Sequence, residues 1–103
     1  MLVKAGEQMA STVCTTRVIV VRAPAVDIEL TCGGAPMVSL KDGEPTVAGA
    51  PAPGADGGTV LGKRYADDDL GLELLATKAG SGSLAVDGKP IELKVAKPLP
   101  ASD

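Results

Sequence analysis

Two side chains in this sequence have the chemistry to hold a soft metal ion or to exchange electrons: Cys14 in "STVCTT" and Cys32 in "LTCGGAP". A thiol that loses its proton becomes both a nucleophile and a metal ligand. Glycine after a cysteine lets the backbone fold around the sulfur, so the turn Cys32-Gly33-Gly34 can present Cys32 to an ion or to a second thiol. The same "GGAP" also reads as an ordinary tight turn. The chain has no histidine, which removes the usual general base, the Ser-His triads and the commonest neutral metal ligand. "GGAPM" lacks the lysine of a phosphate-binding loop, and Asp67, Asp68 and Asp69 with Gly71 and Glu73 have the wrong spacing for a calcium-binding EF-hand loop. The triple aspartate is expected to be a solvated turn, and Cys14 and Cys32 remain as the candidate metal or redox residues.

The scaffold that must position them is small. With 103 residues and 10.2 kDa, one hydrophobic core is barely sufficient. Apolar residues make up 45% of the chain but aromatics only 1%, so the core must be aliphatic, with Tyr65 as the sole ring. A net charge of −3 and the lack of stacking platforms argue against nucleic acid as a partner. "VIVV" is too short to span a bilayer and "MLVKAGEQMA" has no apolar run of the length an export signal needs, so a cytoplasmic protein with no membrane association is expected. In that compartment two cysteines would stay mostly reduced.

The periodicity is that of strands. "RVIVV" from Arg17 to Val21 is β-branched apart from its arginine, and "VDIEL" from Val26 to Leu30 alternates with period two. With Pro24 between them they predict a hairpin over residues 17–30. Residues 41–61 are rich in Gly, Pro and Ala without periodicity and read as a flexible linker. Beyond it, strands are expected at 72–77, 83–86 and 91–95, with turns at 79–82 and 87–88, and a loose tail at 98–103.

A shift of 54 positions sets "LTCGGAPM" on "LAVDGKPI", and a shift of 56 sets Gly6, Met9 and Cys14 on Gly62, Tyr65 and Leu70. These echoes predict an internal duplication: an all-β protein with a first lobe at 1–40, a linker at 41–61 and a second lobe without cysteines at 62–97.

The pattern of a glycine, a turn bearing cysteine, a Val-rich run and a Cys-Gly turn ending in methionine resembles desulforedoxin and the N-terminal domain of desulfoferrodoxin. Gly6, Met9, Ser11, Cys14, "VIVV", Cys32 and Met37 carry that resemblance over residues 4–40, and Gly62 and Tyr65 carry it more weakly over 60–94. In that family four thiolates hold one iron ion, and the corresponding positions here are Ser11, Cys14, Cys32 and Gly33. Two ligands are missing, which departs from the family's redox chemistry. The resemblance implies that the two remaining sulfurs are neighbours, roughly 3.7 Å apart given a metal–sulfur distance of ~2.3 Å.

Three states are then open to the pair: reduced relics of a lost site, a disulfide or redox switch, or an iron or zinc site completed by outside ligands or a second chain. With no acid–base groups, the leading expectation is a non-enzymatic accessory or protein-interaction module without a cofactor, partnered by a protein such as an enzyme subunit, or by a second copy of itself. The alternative is a redox-active or metal-binding protein using Cys14 and Cys32.

Overall fold

The computed structural model describes residues 2–93. It is an antiparallel all-β protein, as the alternation and β-branching of the sequence require. Ten short strands run in chain order: β1 (Gln8–Ala10), β2 (Arg17–Arg22), β3 (Leu30–Cys32), β4 (Ala35–Pro36), β5 (Val38–Ser39), β6 (Arg64–Asp67), β7 (Leu72–Lys78), β8 (Leu84–Val86), β9 (Lys89–Pro90) and β10 (Glu92–Leu93). A 3-10 turn, Leu40–Asp42, follows β5. No helix among the described residues is long and apolar enough to cross a membrane.

The strands form a six-stranded sheet of order β10-β6-β7-β2-β1-β5 and a four-stranded sheet of order β4-β3-β8-β9. Each sheet has at its centre one strand from residues 8–39 beside one from residues 64–93. In the larger sheet Val18 lies opposite Ala76 and Val20 opposite Leu74. In the smaller, Leu30 lies opposite Val86 and Cys32 opposite Leu84. The two parts of the chain are therefore joined by hydrogen-bond ladders as well as by apolar packing.

The expected hairpin over 17–30 does not form. β2 pairs with β1 and β7, while β3 pairs with β4 and β8, and the segment with Pro24 carries the chain from one sheet to the other. In "VDIEL" only Leu30 enters a strand: Ile28 and Leu30 turn into the core, but Val26 is 55% exposed. The strand expected at 72–77 is β7 and that at 83–86 is β8, whereas β1 and β6, with three and four residues, have too little pattern to announce themselves. Residues 94 and 95 of the strand expected at 91–95, and the tail, lie outside the described residues.

One aliphatic core lies between the sheets. Met9, Val18, Val20, Leu72 and Leu74 come from the larger sheet and Leu30, Cys32, Leu84 and Val86 from the smaller, all at most 2% exposed. Burying a Val or Leu side chain stabilises by about 1.5–3 kcal/mol, so this cluster is the main opponent of chain entropy in so small a domain. Tyr65 packs beside it, and its hydroxyl accepts a hydrogen bond from the Val60 amide at 2.9 Å.

Residues 41–61 contain no strand, but they are tied to the body rather than looping freely. The amide of Ala48 donates to the Thr12 carbonyl, that of Ala52 to the Gly33 carbonyl, and that of Ser83 to the Ala55 carbonyl. The middle of the segment thus forms a strap across both cysteine-bearing turns.

Candidate functional site

Cys14 stands in the turn between β1 and β2, and Cys32 ends β3. The turn around Cys14 is built by Ser11. Its Oγ accepts hydrogen bonds from the amides of Val13 at 3.1 Å and Cys14 at 3.2 Å. Two acceptor sites are thereby filled, so the Ser11 O–H is left to donate to the Cys14 sulfur, 3.3 Å away. Thr16 Oγ1 lies equally close to that sulfur on its other flank. The larger and smaller sheets, packed on one core, bring Cys32 against it, and the two Sγ atoms are 3.7 Å apart. This is the separation that the resemblance implied.

The two sulfurs are not bonded to each other and both are buried, Cys14 at 7% exposure and Cys32 at 0%. Their environments differ in a way that decides their chemistry. Burial opposes ionisation of Cys14, but the hydroxyls of Ser11 and Thr16 and the amides of Thr16 and Gly82 outweigh it, and its pKa falls from 9.0 to about 7. Cys32 is pushed up to about 11, first by burial and then by the negative charge of a Cys14 thiolate beside it, against the pull of the same hydroxyls. Near neutral pH Cys14 is therefore partly thiolate while Cys32 stays a protonated thiol.

The loop 79–82 closes the site. Thr15 Oγ1 donates to the Ala79 carbonyl at 2.6 Å, and Thr59 Oγ1 donates to the Gly82 carbonyl at 2.8 Å. A Cβ on Gly82 would sit 3.0 Å from the Cys32 sulfur and 3.1 Å from that of Cys14, and one on Gly80 would collide with Thr16. Only glycine allows the loop to lie directly on the thiol pair. Sequence reading marked 79–82 as a turn but not as part of the site, because backbone proximity leaves no side-chain signature.

A four-thiolate iron or zinc cage does not fit here. Gly33 holds a left-handed φ of +66°, and a Cβ there would meet Val13 Cγ2 at 2.6 Å and Pro51 at 3.1 Å. The fourth corner is filled by Val13 and the strap, while Ser11 uses its oxygen to build the turn. Among the described residues no group of three or more His, Cys, Asp or Glu side chains converges on one point. The remaining motif, Asp67 to Asp69, is a turn: Asp67 Oδ1 accepts from the amides of Asp69 and Leu70 at 3.1 and 3.3 Å. Asp67 itself is nearly buried at 9%, where full solvation of the triplet was expected.

Compared with protein-family models, with curated proteins and with solved structures, the chain finds no match.

Proposed function

We propose that this chain is a non-enzymatic accessory module whose thiol pair is redox-responsive, Cys14 and Cys32 cycling between two thiols and one disulfide in a reducing, cytoplasmic compartment. The observation that carries this reading is the 3.7 Å contact between two buried sulfurs of unlike acidity. Closing to the ~2.05 Å of a disulfide requires the sulfurs to approach by about 1.6 Å. With a disulfide such as oxidised glutathione as oxidant, the Cys14 thiolate attacks one sulfur and expels the other as thiolate, giving a mixed disulfide. Cys32 then loses its proton to solvent and attacks the Cys14 sulfur, expelling the second thiolate. Two electrons pass to the oxidant. Loss of the negative charge on Cys14 in the first step removes one of the causes that hold Cys32 protonated, so the second step is eased by the first.

The accessory part of the reading rests on chemistry: among the described residues the side chains hydrogen-bonded to the sulfurs are hydroxyls and the other thiol, and an oxidised pair would alter the loop 79–82 and the strap, the elements that cover it. A protein partner reading that surface, for example an enzyme subunit, fits this role. The repeated strand order supports descent from a duplicated desulforedoxin-like lobe that has since lost two ligands. The test is incubation of metal-free protein in glutathione buffers of graded potential, followed by intact mass measurement. An intramolecular disulfide, two hydrogens lighter and without bound glutathione, is expected. Persistence of both thiols across the series, or accumulation of the glutathione adduct on Cys14, would overturn the reading.

A further inference from the structure

We infer that the groove between the segments 4–8 and 39–41 binds an organic monocarboxylate with a short aliphatic body, its carboxylate taken by Ser39 and the two lysines Lys4 and Lys41. The groove shares no residue with the thiol site, so the inference is independent of the redox reading.

The groove follows from how the chain leaves the larger sheet. β5 pairs with β1 through Met9 opposite Ser39 and Ala10 opposite Val38. After Ser39 the chain turns into the 3-10 segment Leu40–Asp42, so residues 4–8 face a turn instead of a continuing strand. The space left between them has a volume of about 480 Å³. Lys4, Gly6 and Glu7 line it from one segment, and Ser39, Leu40 and Lys41 from the other. That size takes a small ligand, and Gly6, Leu40 and the lysine stems give it apolar walls.

Ser39 marks where the polar end of a ligand would lie. The residue is 8% exposed, and its Oγ is sealed from solvent with no hydrogen-bond partner among the described residues. A buried hydroxyl without a partner is costly, and it calls for one to be supplied. Serine turns about one χ angle, which lets the hydroxyl swing to an acceptor held in the groove while the strand stays in place. Charge decides which acceptor. Glu7 already uses both oxygens: Oε1 accepts the Lys4 amide at 3.1 Å and Oε2 faces the Lys41 ammonium at 3.9 Å. Lys41 has three N–H donors, so others remain for a ligand. With Lys4 and Lys41 set against Glu7, the lining carries one net positive charge. A monocarboxylate neutralises it, an amine is repelled, and a dianion such as phosphate leaves a negative excess beside Glu7.

The test is titration of the isotope-labelled full chain with hexanoate, hexanamide and hexylamine, followed by amide chemical shifts. Hexanoate should bind saturably and move the amides of residues 4–8 and 39–41. Hexanamide and hexylamine should bind about tenfold more weakly, since each loses a hydrogen bond between charged groups. Ser39→Ala and Lys41→Gln should each weaken hexanoate binding by about tenfold. Both variants should fold, the first because the lost hydroxyl has no partner and the second because the Lys41 side chain is 70% exposed. An N-acetylated peptide ending in a free leucine carboxylate, run beside hexanoate, tells a protein C-terminus from a free acid by which of the two binds more tightly. Absence of saturable hexanoate binding, equal binding of hexanamide, shifts centred on another face, or variants that bind like wild type would each overturn the inference.

Discussion

Ser11 Oγ and Asp67 Oδ1 perform the same task in turns 56 positions apart: each accepts the amides of the second and third residues that follow it. Each therefore closes a turn at the end of a strand, β1 for Ser11 and β6 for Asp67. The shared geometry supports the proposed duplication.

Because each oxygen accepts two amide hydrogen bonds away from bulk solvent, Ser11→Ala and Asp67→Ala should each lower stability by about 1–2 kcal/mol, read from urea unfolding. Only Ser11→Ala should also make the Cys14 thiol less acidic, since Asp67 has no sulfur beside it. Equal effects of both variants on thiol acidity would refute the assignment.

Thiol reactivity should split by residue. With Cys14 near pKa 7 and Cys32 near 11, alkylation by iodoacetamide at pH 7.5 should label Cys14 first, with a rate that half-saturates close to pH 7. Thr16→Val should move that midpoint upward. Peptide mapping of the first-labelled cysteine checks the order.

Stability should follow the same two ionisations with opposite signs. Cys14 has a folded pKa below its ordinary 9.0, so between pH 7 and 9 the unfolded chain holds more protons and stability rises with pH; that contribution is lost as pH falls through 7. Cys32 has a folded pKa above 9.0, so from 9 to 11 the folded chain holds more protons and stability falls. The midpoint of chemical denaturation, measured under reducing conditions, should therefore rise from pH 7 to a maximum near 9 and then decline. In Cys14→Ser the rising limb should disappear.

How much of this was legible in the sequence differs by element. The runs at Arg17–Arg22 and Leu72–Lys78 announce strands because β-branched and aliphatic residues crowd them, yet nothing local says that they pair with each other across more than fifty residues. The hairpin drawn over 17–30 failed for that reason: Pro24 turns the chain between sheets, and the ladder partners come from the other half. The closeness of Cys14 and Cys32, 3.7 Å between sulfurs, was implied only by a family resemblance, since no local pattern sets two cysteines in separate sheets side by side. The strap was not, because it holds on through backbone amides and small side chains. Pro51 fits the space at Gly33 by size, which leaves no periodicity to read.

Supplying four cysteines at positions 11, 14, 32 and 33 should not create an iron site. In Ser11→Cys/Gly33→Cys, the new side chain at 33 meets Val13 and Pro51 on a left-handed backbone, so iron added to the reduced variant should leave it colourless. Adding Val13→Ala and Pro51→Gly should be needed before ferric thiolate absorption appears. Colour in the double variant would show that the corner is open.

Gly82→Ala should press a methyl group onto both sulfurs, costing about 1–3 kcal/mol by overpacking. Disulfide closure in glutathione buffer should also become slower than in wild type, as the intact mass time course would record.

The central seams of both sheets, β2 with β7 and β3 with β8, join halves that are far apart in sequence. Such a molecule can satisfy its ladders with a borrowed half as well as with its own. If residues 41–61 were cut short enough to forbid the return path, the same hydrogen bonds would form between sister chains, and the product would be an interlocked, exchanged dimer instead of an unfolded monomer.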